Sequence, residues 1–240
     1  MSSLPGTTGR RRIYLMRHGH VDYFSKEVLA TRRTDLVPLT PLGREQATAS
    51  GAALAHVRFD RAICSGLPRT RQTAERVLAE NADAAHLAID VDRDLEEIRG
   101  GHQTAKSRAE LSARLTFEFD QAAKPGATMF GGEAFSEALD RSCRAVQRLL
   151  AQPDWHTTLV VAHEGVNRLL LGWMTGNGLQ AIQSFEQDLA CINVLDFDLV
   201  PGANGTDIAR SIIKAVNLTP YNYTKHGMNL TSLEAIFARQ

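Results

Sequence analysis

Two histidines stand at the ends of short apolar segments, where a side chain can reach a substrate. His18 follows the apolar residues 13–16 within an Arg-His-Gly triplet, and His163 follows the apolar residues 158–162. A neutral imidazole nitrogen can attack phosphorus in line and divide one difficult displacement into two easier ones. The pattern therefore indicates phosphoryl transfer through a phosphohistidine, with His18 as the candidate nucleophile.

Two arginines lie close to the ends of the same kind of segment. Arg17 immediately precedes His18, and Arg69 comes shortly after a third apolar segment, residues 62–64. A guanidinium forms planar, forked contacts with phosphate oxygens, and a second histidine adds one more N–H donor. Fixed donors of this kind can stabilise the charge on a transferred phosphoryl group without a metal ion.

The alcohol that leaves in such a reaction needs a proton, and two adjacent carboxyl groups are candidates. Glu96 and Glu97 follow a predicted strand at residues 89–91. A carboxylic acid near a dianionic phosphate and shielded from water has a raised pKa, which allows proton donation near neutral pH. Neighbouring side chains on an extended segment point to opposite faces, so we expect only one of the two at the site. The spacing from Leu95 favours Glu97.

A metal site is the competing interpretation of the histidines, because His18 and His20 flank Gly19. No acidic cluster accompanies this pair at a ligand spacing. The remaining histidines are scattered along the chain, at His56, His86, His102, His156 and His226. We therefore expect no metal and no other cofactor.

The segments that carry these residues alternate between strand and helix. Strands are predicted at residues 13–16, 62–64, 89–91 and 158–162, and helices at about residues 41–56, 69–80 and 133–151 and after His163. Such alternation is typical of a mostly parallel sheet with helices on both faces, whose ligands bind at the carboxyl ends of the strands. The candidate site residues fall at those ends.

Two later segments, residues 192–198 and 211–216, are predicted to form a hairpin at a sheet edge. The region between them contains the turn residues Pro201, Gly202, Asn204 and Gly205. The stretch from about residue 104 to residue 131 breaks the alternation, and we interpret it as a small helical insertion over the active site. The expected fold is α/β, a three-layer α/β/α arrangement whose mostly parallel sheet has an antiparallel edge strand.

The domain organisation follows from this pattern. One domain is predicted at residues 12–220, including the insertion at about 104–131. Residues 1–11 are polar and contain Gly and Pro, so we expect a disordered N-terminus. Residues 221–240 form a C-terminal tail that is too polar to place.

Composition excludes several other classes of protein. Lys plus Arg and Asp plus Glu number 27 each, so no global charge points to nucleic acid or to a membrane surface. The three cysteines lack the spacing of a redox or metal site, and no segment has the ~18 apolar residues of a membrane span. We expect a cytoplasmic protein whose partner is a small-molecule phosphomonoester. The oligomeric state is not defined by the sequence, which leaves a dimer open.

The order of motifs resembles the histidine phosphatase superfamily, also called phosphoglycerate-mutase-like, in its phosphatase-type branch. The resemblance covers roughly residues 12–200. It rests on Arg17-His18-Gly19, then Asp35, Pro38, Leu39, Thr40 and Gly43, then Ser65-x-x-x-Arg69-Thr70, then Leu95-x-Glu97, then Gly131-Gly132-Glu133, then His163. Six elements in this order, with the expected structure between them, make coincidence improbable.

The resemblance implies a catalytic core. His18 would be the nucleophile, and Glu97 would be the proton donor. Arg17, Arg69 and His163 would bind the phosphate.

Three positions depart from the family pattern. Val21 and Phe24 stand where relatives commonly have Thr and Asn, and Glu164 stands where Gly is usual. Gly19 and Phe24 remain candidate substrate-binding residues of this loop. Tyr23 and Phe24 either line an aromatic wall for a larger leaving group or pack under the insertion. A carboxylate at position 164 would repel substrate unless it points away, so its orientation is left open.

The favoured function is a histidine acid-type phosphatase, a phosphoric monoester hydrolase. A phosphoglycerate-type phosphomutase shares every core residue. The cofactor-dependent mutases have a longer insertion with more basic and aromatic groups than the ~35 residues between Glu97 and Gly132 provide. A third alternative is a phospho-ligand-binding module without turnover, against which the candidate proton donor argues.

Overall fold

The computed structural model describes residues 9–31, 33–101, 110, 113–114, 116–203 and 205–238. The strands are β1 (Gly9–Arg17), β2 (Arg61–Cys64), β3 (Ile89–Val91), β4 (Thr157–Ala162), β5 (Ile192–Gly202) and β6 (Gly205–Leu218). They form one sheet in the order β3-β2-β4-β1-β5-β6. β1 to β4 run parallel, whereas β5 is antiparallel to β1 and β6 is antiparallel to β5.

Helices cover both faces of this sheet. The α-helices are α1 (Lys26–Thr31), α2 (Pro41–Ala53), α3 (Pro68–Ala79), α4 (Phe135–Ala151), α5 (Glu164–Met174) and α6 (Ser232–Ala238). Single turns of 3-10 helix lie at Thr34–Leu36, Arg93–Leu95, Phe119–Gln121, Gly178–Gln180 and Ile182–Ser184. The predicted three-layer α/β/α fold is confirmed.

The period-two alternation of side chains on the strands creates two cores. On β1, Ile13 and Leu15 point to one face, where they join the apolar residues of α4 and α5. Met16 points to the other face and packs with the residues of α2 and α3. Because both faces of the sheet are covered, β4 (Thr157–Ala162) is buried from its second residue onward, and its last four residues are all apolar rather than alternating.

The N-terminal part of β1 corrects one sequence-based expectation. Residues 9–11, predicted to be disordered, are strand residues, and residues 1–8 lie outside the described part of the chain. Two arginines of β1, at alternate positions, pair with acidic residues of β5. Nε of Arg10 donates to Asp198 at 2.8 Å, and Nε of Arg12 donates to Asp196 at 2.7 Å. These contacts, together with the β-ladder, extend the strand beyond its apolar run.

The predicted hairpin is present, but its strands are longer than expected. Pairing continues as far as Gly202 opposite Gly205, so that Pro201 and Gly202 belong to β5. Asn204 of the predicted turn lies outside the described residues. The antiparallel part of the sheet is therefore two strands wide.

The predicted insertion and tail are described in part. Of the insertion, residues 104–109, 111–112 and 115 lie outside the described residues. The following segment packs Phe119 and Met129 against Phe135 of α4 and Leu169 of α5. The tail was not placed by the sequence. In the structure, Tyr221 and Lys225 contact Leu189 and Asp188 in the loop before β5, and the described part of the tail ends with α6. None of the helices in the described ranges is long and apolar enough to cross a membrane.

Candidate active site

The parallel register of β1 and β4 brings the two candidate histidines together. Arg17 is paired with Ala162, so the next residue of each strand, His18 and His163, emerges at the same sheet edge. Their rings meet edge to face with centroids 5.3 Å apart, and both residues are buried. The predicted convergence of strand ends is thus observed for both.

The tautomer of His18 follows from its hydrogen bond. Nδ1 lies 2.7 Å from the carbonyl oxygen of Gly19, which can only accept, so Nδ1 carries the proton. Nε2 is left with a lone pair. Burial, followed by the positive charges of Arg69 and Arg17, lowers the pKa of His18 well below its usual range. The imidazole is therefore neutral near pH 7, as a nucleophile must be.

Gly19 fixes the loop that follows this histidine. Its N–H donates to Oγ1 of Thr73 at 3.1 Å. A Cβ at position 19 would collide with the backbone carbonyl of Gly43 in α2, and a Cβ at position 43 would collide with His20. Two glycines at this crossing let the loop lie directly on the start of α2, which keeps the His18 backbone in place.

The two candidate phosphate-binding arginines, Arg17 and Arg69, each donate a hydrogen bond from Nη1 to a backbone carbonyl group. Nη1 of Arg17 donates to the carbonyl oxygen of Gln187 at 2.5 Å, and Nη1 of Arg69 donates to that of Thr34 at 3.3 Å. Both residues are buried, and Nε of each has no hydrogen-bond partner among the described residues. Buried polar groups are nearly always paired in native structures. Unpaired Nε edges beside His18 therefore mark a place where an oxyanion would fit.

His163 is held by a chain of hydroxyl groups. The hydroxyl of Thr70 donates to the carbonyl oxygen of Leu67 at 2.9 Å, so the Ser65 hydroxyl, 2.9 Å from Thr70, donates to Thr70. Oγ of Ser65 then accepts from Nε2 of His163 at 2.8 Å. Nδ1 of His163 is buried and unpaired within the described chain. It becomes a donor to a phosphate oxygen only after it gains a proton, because burial and then the Arg69 charge hold the pKa of His163 well below its usual range.

Glu97 reaches the site, whereas Glu96 does not. The carboxylate oxygens of Glu97 accept from the N–H groups of Ile98 at 2.9 Å and Gly165 at 3.2 Å. Burial raises the pKa of Glu97, and these two backbone donors offset only part of that effect. The side chain of Glu96 is half-buried and lies 3.9 Å from Arg93 on the outside of the loop. Of the two adjacent acids, the structure therefore brings Glu97 to the candidate site, the residue that the alternation of side chains along the segment favours.

Arg141 of α4 supports the Glu97 loop, and sequence reasoning missed it. Its Nη1 donates to the carbonyl oxygens of Asp94 and Glu96, both at 2.7 Å, and its Nη2 donates to that of Glu97 at 3.2 Å. Nε pairs with Glu133 at 2.6 Å. The position of Arg141 within the mostly apolar, buried face of α4 could have indicated this role, because a buried charge needs partners.

The carboxylate of Glu164 lies between the guanidiniums of two arginines. This residue is the first of α5, and its carboxylate lies 3.1 Å from Nη1 of Arg17 and 2.8 Å from Nη2 of Arg168. With a cation on each side, the carboxylate is neutralised locally. This settles the orientation that sequence left open.

The aromatic residues of the loop after β1 have different environments. The Tyr23 ring lies 6.0 Å from the guanidinium of Arg69 and packs on an apolar cluster around Val28. Phe24 is 44% exposed. Its role in binding a leaving group stays a prediction.

The competing metal interpretation finds no cluster of ligands. Nδ1 of His20 lies 2.8 Å from Oγ1 of Thr40, the N-cap of α2. Among the residues that the structure describes, no three His, Cys, Asp or Glu side chains are grouped so that they could hold a metal ion.

Sequence and structure comparisons find that this chain is similar to several phosphatases. The chain is 27% identical over 188 residues to the adenosylcobalamin/alpha-ribazole phosphatase of Salmonella typhi, covering 77% of this chain and 90% of the relative. A putative alpha-ribazole-5'-P phosphatase from Escherichia coli superposes with a TM-score of 0.62 at 25% identity, over 86% of this chain and 96% of that structure. Mycobacterial glucosyl-3-phosphoglycerate phosphatase superposes with a TM-score of 0.68 at 23% identity, over 87% and 99% of the two chains.

The family match begins within β1, ends near the end of β5 and does not include β6. Residues 13–200 fit the model of the histidine phosphatase superfamily, branch 1, and therefore include all five candidate catalytic positions. The chain belongs to the histidine phosphatase superfamily.

Proposed function

We propose that this protein hydrolyses small phosphomonoesters without a metal ion, through a phosphohistidine on His18. One observation carries the proposal: Nε2 of His18 has a free lone pair beside two arginines whose buried Nε atoms lack partners in the described chain. A phosphate would complete the hydrogen bonding of both arginines and lie in line with the nucleophile.

The first step transfers the phosphoryl group to the protein. Nε2 of His18 forms a bond to phosphorus as the bond between phosphorus and the ester oxygen breaks. Arg17 and Arg69 stabilise the charge on the phosphoryl oxygens, and His163 adds a third donor once the negative charge of the bound phosphate favours protonation of its ring. Glu97, whose pKa is raised by burial, gives its proton to the departing alkoxide.

The second step returns the site to its starting state. Glu97, now a carboxylate, accepts a proton from a water molecule as that water attacks phosphorus. The bond between phosphorus and Nε2 breaks, and inorganic phosphate leaves. Nδ1 of His18 keeps its proton throughout, because the Gly19 carbonyl holds it.

The opposite pKa shifts of the two catalytic groups support the acid-type assignment. The pKa of His18 is lowered by burial and by Arg69, so the nucleophile stays neutral into the acidic range. The pKa of Glu97 is raised by burial, and its proton is lost as the pH rises. Activity should therefore be highest on the acidic side of neutrality.

The substrate class follows from the relatives and from the shape of the site. The relatives are phosphatases named for phosphorylated small molecules, such as alpha-ribazole phosphate and 2-carboxy-D-arabinitol 1-phosphate. The half-exposed Phe24 at the loop after β1 suits a leaving group larger than a simple alcohol. We place the reaction in the cytoplasm, in agreement with the free thiols of Cys64, Cys143 and Cys191.

A direct test uses an aryl phosphate with and without a chelator. Hydrolysis that persists with the chelator and disappears in His18→Ala supports the proposal. The same preparation should be incubated with 3-phosphoglycerate, since accumulation of an isomeric phosphoglycerate would indicate a mutase instead. Phosphate binding without turnover of any of a panel of phosphorylated metabolites would indicate a binding module.

A further inference from the structure

Glu164 occupies a place in the site that the proposed chemistry does not use. It follows His163 directly and is 3% exposed. Its carboxylate forms an ion pair with Nη1 of Arg17 at 3.1 Å, and it accepts hydrogen bonds from Nη2 of Arg168 at 2.8 Å and from Oγ of Ser232 at 2.7 Å. A buried carboxylate with this many partners has a single orientation.

The contact with Arg17 controls how that arginine faces the site. A guanidinium is planar, so fixing one terminal nitrogen restricts the direction of the opposite Nε edge. Nη1 of Arg17 is held between the Gln187 carbonyl and Glu164, whereas Nε has no partner among the described residues. We propose that Glu164 is a positioning residue, which aims the Nε edge of Arg17 at the phosphate.

The position of Glu164 itself depends on two outer contacts. Arg168 is fixed by its donation to Ile182 at 3.3 Å and by the Phe119 ring, 4.8 Å from its guanidinium. Ser232 begins α6, the last helix, and its N–H donates to Glu186 at 2.9 Å. The C-terminal tail therefore contributes to the phosphate site through Ser232 and Glu164, although it lies outside the segment that matches the family.

The charges of this group explain why the acid is tolerated so close to an anion. Glu164 lies between two guanidiniums, so the three side chains together carry a net positive charge. Without the carboxylate, two buried cations would share one region, and Nη1 of Arg17 would keep its hydrogen bond to Gln187 but lose its ion pair. Glu164 thus fixes the orientation of the Arg17 guanidinium and leaves its Nε edge available to bind the phosphate of the substrate.

The test compares variants at position 164 with a matched control, and it rests on the proposed phosphatase function. Glu164→Ala should raise both the KM for an aryl phosphate and the Ki of inorganic phosphate by about tenfold, because a misplaced ligand costs binding and rate. Glu164→Gln keeps an oxygen acceptor at the same reach and should return both constants to within about threefold of wild type. Asp196→Ala is the control, since Asp196 is a similarly buried acid that pairs with Arg12 of β1; its constants should stay within about twofold.

Two further variants keep the inference open to refutation. If Glu164→Ala does not fold, Glu164→Asp retains the charge between the arginines but shortens the reach, and should raise the phosphate Ki several-fold. Ser232→Ala should give a smaller rise of the same kind. A purely structural role would lower the amount of active enzyme while leaving KM and Ki unchanged.

The outcomes separate this inference from the proposed function. Wild-type KM and Ki in Glu164→Ala or Glu164→Asp would overturn it, and so would a Glu164→Gln variant as impaired as alanine, because charge rather than position would then matter. If the wild-type protein neither hydrolyses the ester nor binds inorganic phosphate, the proposed function itself fails.

Discussion

The two sides of the site differ in how firmly the fold holds them. On the phosphate side, His18, His163, Arg17 and Arg69 are each at most 6% exposed and emerge from the sheet or the first turn of α3. On the leaving-group side, residues 20–31 and 33–36 include a loop, α1 and a turn of 3-10 helix, and Phe24, Leu29 and Leu36 are 44%, 60% and 52% exposed. Under the proposed function, we expect the buried residues at the sheet to act on the phosphate of every substrate and the exposed loop to distinguish between leaving groups. Changes on the phosphate side should harm all substrates alike, and changes on the other side should depend on the substrate.

The largest effect is expected at the arginine clamp. Arg69→Ala should lower kcat/KM by about 10²–10³ for every ester, because one donor to the transferred phosphoryl group is lost. Arg69→Lys should recover little, since an ammonium cannot make the forked contact. Arg71→Ala is the matched control from the same helix. Steady-state kinetics with an alkyl and an aryl ester check the result, and a loss confined to one ester would contradict the assignment to the phosphate side.

The effect of replacing Glu97 should depend on how strongly the leaving group needs a proton. Glu97→Gln removes the proton donor and should lower kcat by about 10²–10³ for an alkyl ester. The loss should be smaller for nitrophenyl phosphate, because nitrophenolate leaves without a proton. Glu96→Gln should behave as wild type. An equal loss for both esters would show that Glu97 does not protonate the leaving group.

The pH profile of kcat/KM should be bell-shaped, with its acidic limb set by His18 and its alkaline limb set by Glu97. Activity falls on the acidic side when His18 becomes protonated, and the lowered pKa of His18 moves that limb to low pH. Activity falls on the alkaline side when Glu97 loses its proton, and its raised pKa moves that limb upward from the usual carboxyl range. Glu97→Gln should abolish the alkaline limb only. A profile in which that limb survives the substitution assigns it to another group.

The smallest effect is expected on the leaving-group side. Phe24→Ala should raise the KM for a bulky aryl ester by a few-fold and leave that for a small alkyl phosphate unchanged, because only apolar contact area is removed. Leu29→Ala, at an exposed apolar position on α1, serves as the control. Equal effects of Phe24→Ala on both esters would show that the loop does not select the leaving group.

How far sequence could predict this structure differs between the same two sides. The apolar runs predicted the strands at positions such as 158–162, and their ends predicted which histidines and arginines would meet. Residues 9–11 were wrongly expected to be disordered, because their strand depends on pairing with Asp196 and Asp198 nearly two hundred positions away. Long-range partners of this kind leave no local pattern.

The supporting residues of the site escaped prediction for the same reason. Arg141 and Glu164 act through carbonyl groups and side chains brought close only by folding. The tail offered only polar residues, although Ser232 contacts Glu164 directly. Residue types with intrinsic chemistry could be recognised from the sequence, whereas the residues that orient them became apparent only in the three-dimensional structure.

The central claim is that the phosphoryl group passes through His18. Wild-type protein mixed with an aryl phosphate and quenched within milliseconds should contain a phosphate that is stable to base and labile to acid, and peptide mass spectrometry should locate it on His18. Continued hydrolysis with no such adduct, or an adduct on any other residue, would contradict the account.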